Sequence, residues 1–291
     1  MLRALATLAL LLSPLAAIAQ APKGPKLPAG VTREADMPYG DHERNKLDLY
    51  LPKADKPLPL VIWVHGGGWE AGDKGGGNPA LPLLTQGYAV ASVNYRFSKH
   101  APFPAQSADV RAAVRFLRAN AKKYNLNPDK FGAWGASAGG HLVALLAVGA
   151  DVKELDGKNT SNPKVSSAVQ AVIDWFGPTD MAALSPVGAR PNAVTRLLGG
   201  DSKEKADVAK LASPLTYAGV GKAGAPLLIL QGDKDPLVPL SQSQKLADAY
   251  KKAGGDVELV VFPGASHGGK EFVSQEQRAK ALAFFDKHLK E

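Results

Sequence analysis

An α/β fold with a mostly parallel central sheet and helices on both faces is predicted by three features of this 291-residue sequence. Continuous apolar runs recur at residues 60–64, 89–93, 131–134, 169–173 and 227–230, as strands covered on both faces require. Helical patterns separate these runs, and strand and helix in alternation imply parallel strands. The pentapeptide Gly135-Ala-Ser-Ala-Gly139 lies where the run at 131–134 gives way to the helical pattern at 138–147. In such sheets reactive groups gather at the carboxyl ends of the strands.

Residues 1–19 begin Met-Leu-Arg, continue through the apolar stretch 4–12 and end Ala17-Ile-Ala19. A charged start, an apolar middle and an A-x-A site predict a signal peptide cut after Ala19, and hence a periplasmic or secreted protein. Ser13-Pro14 breaks the apolar stretch well short of the roughly 20 residues that span a bilayer, which argues against stable membrane insertion. The Pro/Gly-rich residues 20–30 read as a flexible lead-in, and 31–291 as one catalytic domain. With no cysteine, an exported domain has to be held by its core. The formal charge is +8; losing Arg3 with the leader leaves about +7. That excess is scattered, with no basic run interleaved with aromatics, so nothing points to nucleic acid.

Alternating residues 31–37 and 46–51 flank the turn-rich Pro38-Tyr-Gly-Asp41 and predict an antiparallel opening pair. The clearest helix is 105–120, with apolar Val110, Val114 and Leu117 and three arginines expected to face away. Helices are also expected at 241–252 and 275–289, and a strand at 257–262. Residues 177–224 fit the rhythm poorly, hold a short helical pattern at 192–198, and read as a small insertion after the sixth strand, too modest for a large closing lid.

A G-x-S-x-G turn between strand and helix forces its serine into strained geometry and exposes the hydroxyl, which makes Ser137 the candidate nucleophile. The following helix aims its N-terminus at that serine, a favourable place for an oxyanion. At the end of the 60–64 strand comes His65-Gly-Gly-Gly-Trp69, a loop type that lays amides against an oxyanion. Gly67, Gly68 and Ala138 are therefore the expected donors, with His65 holding the loop. No phosphate-cradling or dinucleotide motif is present, and no histidines are paired at metal-binding spacing, so neither metal nor organic cofactor is expected.

In this motif class the base follows the serine and the acid in the chain. His141 lies on the elbow helix and His288 in the terminal helix, which leaves His267, in a glycine-rich loop after the 257–262 strand, as the base. The loop after 227–230 carries Asp233 and Asp235. Asp235, farther along, is the expected acid and Asp233 a turn residue, with Asp174 and Asp180 in reserve. Trp69, Trp175 and Phe176 follow the glycine loop and the sixth strand and are candidates to line an acyl or ring site.

With these pieces in place the chain resembles the HGGG esterase/lipase group of α/β-hydrolases, near its feruloyl and acetyl-xylan (carbohydrate) esterase-like branch. The matching segments are residues 65–69, Asn94-Tyr-Arg96 with Pro102-Phe-Pro-Ala105, 135–141, 174–180, 232–239 and His267. One departure is Phe97-Ser-Lys-His100, where relatives often carry an acidic residue before Pro-Phe-Pro. The resemblance implies a serine carboxylesterase acting without cofactor on short-chain or aromatic acyl esters, of small molecules or of plant polysaccharide. Kynurenine-formamidase-like relatives direct the same triad at amides. A non-catalytic binding protein on this fold would lack a triad member, and all three are present.

Overall fold

The computed structural model describes residues 27–158, 161–185, 192–219 and 224–291. The expected signal peptide at 1–19 and most of the expected lead-in at 20–30 lie outside the described residues. Eight strands form one sheet: β1 (Val31–Pro38), β2 (Lys46–Pro52), β3 (Leu58–Val64), β4 (Ala89–Val93), β5 (Leu126–Ala136), β6 (Ala171–Trp175), β7 (Leu227–Gly232) and β8 (Val257–Phe262). Their spatial order is β1-β2-β4-β3-β5-β6-β7-β8. β1 and β2 pair antiparallel with each other and β2 with β4; every later pairing is parallel. Parallel neighbours need crossovers, and the amphipathic segments supply them as helices.

Side-chain alternation divides the core between the two faces of the sheet. Leu60, Ile62 and Val64 of β3 turn toward α1 (Ala105–Ala119), α2 (Ala138–Val148) and α6 (Leu240–Lys252). Val61 and Trp63 turn the other way, toward a 3₁₀ turn at Leu81–Gln86 and α7 (Gln275–Leu289). Helices thus cover both faces, as the sequence predicts.

Two local expectations are corrected. The sixth strand runs Ala171–Trp175 rather than 169–173, because Gly135 and Ala136 of β5 pair with Asp174 and Trp175. Two of the α1 arginines do not face water: Arg111 and Arg115 are 4% and 3% exposed. Both bond Asp156, and Arg111 also donates to the carbonyls of Gly149 and Ala150, so their charge is compensated inside. Among the described residues of the insertion are the short helices α3 (Met181–Leu184), α4 (Ala193–Leu198) and α5 (Ala206–Leu211), of which α4 matches the helical pattern at 192–198. Among the described residues no helix is long and apolar enough to cross a membrane.

Candidate active site

β5 ends at Ala136 and α2 begins at Ala138, leaving Ser137 alone to make the turn at φ 55°, ψ −119°. A side chain rarely tolerates positive φ, so the turn has to be held from outside. The Ser137 amide donates to the Trp175 carbonyl at 2.8 Å, and its carbonyl accepts from the His141 amide at 2.9 Å. The flanking glycines are steric necessities. A Cβ on Gly135 would stand 2.3 Å from the Gly139 carbonyl oxygen, and one on Gly139 2.1 Å from that of Val64.

Three side chains far apart in sequence meet at this turn. His267 Nδ1 lies 2.7 Å from Asp235 Oδ2, and its Nε2 lies 2.8 Å from Ser137 Oγ. A carboxylate only accepts, so Nδ1 carries the proton and Nε2 presents its lone pair to the serine hydroxyl. The Asp235 side chain is fully buried, and its other bonds run from the amides of Leu237 and Val238 and from Gln231 Nε2, at 2.8 to 2.9 Å. Asp233 instead accepts from the Gly264 amide at 2.7 Å, the turn role expected of it.

The reserve acids lie elsewhere. Asp180 caps α3 through the Ala183 amide. Asp174 is wholly buried, accepts only from the Gly177 amide on Oδ1, and leaves Oδ2 without a partner. Burial pushes its carboxyl up to about 7.

The His65–Trp69 loop is held as the sequence suggests. The His65 ring, kept neutral by burial, donates from Nδ1 to the Gly66 carbonyl and stacks on Tyr95, whose hydroxyl donates to the His65 carbonyl. Gly67 takes φ 110° and closes a turn by accepting from the amides of Glu70 and Ala71. Among the described residues no carbonyl accepts from the amides of Gly67, Gly68 or Ala138. Gly68 and Ala138 border a cleft of about 330 Å³ with Ser137 and His267; Gly67 does not. Donors left free beside an exposed hydroxyl suit a developing oxyanion.

Of the three aromatic candidates, Trp69 lines the cleft. Phe176 packs its ring 4.5 Å from that of His267, behind the base. Trp175 is a correction: it alternates with Asp174 along β6 and turns into the apolar cluster with Trp63, Trp134 and Phe272. The cleft walls that the sequence did not reveal come from Leu184, Ala193 and Val194 of the insertion and from Pro236, Leu237 and Val238 beyond Asp235. Leu237, 65% exposed, is an apolar rim residue.

His42, Glu43 and His100 come close enough together to hold a metal ion, although nothing in their spacing suggests it. Nδ1 of His42 accepts from the Arg44 amide and Nδ1 of His100 from the Phe97 amide, so the neutral rings carry their protons on Nε2. Coordination through Nε2 would displace that proton while Nδ1 stays committed, which is a poor donor set for a cation.

Comparison with known proteins identifies the family and the fold. The BD-FAE family model matches residues 47–250. Esterase LipQ of Mycobacterium tuberculosis is 31% identical over 264 residues, covering 87% of this chain and 61% of its own. The chain spans about three fifths of the length of the curated relatives it matches first. Among solved structures, a truncated form of a carbohydrate esterase from gut microbiota superposes with a TM-score of 0.84 at 34% identity, covering 92% of this chain and 100% of that one. An acetyl ester-xyloside bifunctional hydrolase from Caldicellulosiruptor lactoaceticus gives 0.70 at 26%, covering 83% and 87%. By that family match and by its fold, the chain belongs to the BD-FAE family of α/β-hydrolases.

Proposed function

We propose that this chain is an exported serine carboxylesterase that hydrolyses short-chain or aromatic acyl esters, acetyl or feruloyl groups on plant polysaccharide among them. The observation that carries the chemistry is the unbroken relay from Asp235 through His267 to Ser137, at 2.7 and 2.8 Å, opening onto a cleft with free amides. Ser137 Oγ attacks the ester carbonyl while His267 Nε2 takes its proton. The Gly68 and Ala138 amides receive the oxyanion, with Gly67 shaping the turn beside them. His267 then protonates the departing alcohol, and water repeats the sequence on the acyl-enzyme. Asp235 holds the imidazole tautomer and balances its charge in the transition state.

The substrate class rests on separate support. The cleft volume is at the low end for small-molecule sites, and its walls at Trp69, Leu184, Val194 and Leu237 are apolar. A second concavity of about 480 Å³ lies along the chain segments that follow Trp69 and Val194, lined by Glu70, Thr195 and Arg196 with Lys99 and Asp201. A small cleft with apolar walls suits a short acyl group.

The test is a p-nitrophenyl ester series from acetate to palmitate, run beside methyl ferulate, acetylated xylan and an N-formyl arylamide. Highest kcat/KM on acetate or ferulate, with acetate released from xylan, is expected. A maximum on long chains would overturn the acyl assignment, and faster turnover of the arylamide would move the chain to amide hydrolysis.

A further inference from the structure

Trp69 takes a left-handed backbone, φ 58°, directly after Gly68 at φ 59°. For a bulky residue that conformation is strained and persists only where the surroundings impose it. Its carbonyl accepts from the Ser98 amide at 2.8 Å, which fixes one side. The other side is fixed by its indole, whose Nε1–H donates to Nδ1 of His141 at 3.1 Å.

His141 is fully buried and belongs to α2, the helix that Ser137 opens. Its amide donates to the Ser137 carbonyl, and its Nε2–H donates to the Ala212 carbonyl at 2.7 Å. An indole N–H only donates and a carbonyl only accepts, so these partners permit a single neutral tautomer. Burial keeps the ring neutral. The ring also meets that of Trp69 edge to face, at 5.3 Å between centroids. One imidazole thus joins the glycine loop, the nucleophile's helix and the end of the insertion.

We infer that His141 is a positioning residue: by clamping the Trp69 indole it holds the Gly68 amide in register with Ser137 Oγ, so that both address the same carbonyl. Misplacing a catalytic group by an ångström costs on the order of a hundredfold, and losing an oxyanion donor 10²–10³-fold. His141 acts through the loop and does not itself line the cleft.

This inference rests on the esterase reading, and the experiment separates the two. Trp69→Phe keeps the ring and deletes the donor. His141→Asn keeps an acceptor near the Nδ1 position, and His141→Gln keeps a donor near Nε2. Each variant is assayed on p-nitrophenyl acetate, with active sites counted by phosphonate titration and affinity measured for a boronic acid transition-state analogue. Trp69→Phe and His141→Gln are expected to lower kcat per titrated site by about 10- to 100-fold with KM within about twofold, and to weaken boronate binding in parallel. His141→Asn is expected to restore most of kcat. A merely structural histidine would lower the melting temperature and the number of titratable sites, yet leave kcat per site unchanged, and that result would overturn the inference. So would an effect confined to KM. Should the His141 variants fail to fold, Trp69→Phe alone decides. Wild-type protein that neither turns over the ester nor takes up phosphonate would instead remove the esterase reading itself.

Discussion

Asp235 accepts from His267, Gln231, Leu237 and Val238, whereas Asp174, one strand away, accepts from Gly177 alone. That contrast supports Asp235 as the acid of the proposed reaction. Asp235→Asn is expected to lower kcat by roughly 10⁴, because the amide favours the wrong imidazole tautomer, while Asp174→Asn leaves kcat within about threefold. The reverse order would transfer the acid to β6. Asp174 has a different consequence. Burial raises its carboxyl from the ordinary 3.8 to about 7, so between those values the folded chain holds a proton that the unfolded chain has lost. Its contribution to stability is therefore complete below pH 3.8 and fades as pH rises through 7, by on the order of 4 kcal/mol. Asp174→Asn keeps an acceptor for Gly177 and should flatten the fall in melting temperature between pH 5 and 8. An equal fall in both proteins would mean that Asp174 is already ionised in the fold. At this scale Ser137, His267 and Asp235 were legible because the chemistry restricts residue type and chain order together. Trp175 was not, because closeness to a strand end says nothing about which face a side chain takes.

The elbow is the element whose geometry is most tightly specified. A methyl at Gly139 would meet the Val64 carbonyl at 2.1 Å, closer than any rotamer change can relieve. Gly139→Ala should cost about 1–3 kcal/mol in denaturant midpoint and also lower kcat per site, since α2 has to move away from β3 and carry Ser137 with it. Stability loss with kcat per site intact would show that the turn adjusts independently of the nucleophile. Strand and helix order was readable from continuous apolar runs and 3.6-residue periodicity. In the insertion only α4 was readable, as the helical pattern at 192–198; α3 and α5 are four and six residues long and carry too few turns for a pattern. The helix α4 forms a cleft wall, capped by Asn192 and tied to the glycine loop by the Arg196–Glu70 pair at 2.7 Å. The meeting of His42 with His100 was equally hidden, since two loops distant in sequence bring them together.

For the molecule as a whole, nucleophile, base, acid and oxyanion donors all come from the chain, so chelation should leave kcat/KM unchanged. Activity lost to chelator and restored by zinc would contradict the proposed reaction and direct attention to His42, Glu43 and His100. The export proposal rests on residues 1–19, and by it expression in a bacterial host should yield periplasmic or secreted protein beginning at Gln20. An uncleaved cytoplasmic product would remove the export proposal and leave the chemistry untouched. The central claim, that Ser137 is the nucleophile of an ester hydrolase, is most directly tested by organophosphate labelling followed by peptide mass mapping, on the wild type and on Ser137→Ala. One adduct per chain on Ser137, absent from the variant, is expected, together with a loss of kcat on the order of a millionfold. An adduct on another serine, or turnover that survives in Ser137→Ala, would contradict it.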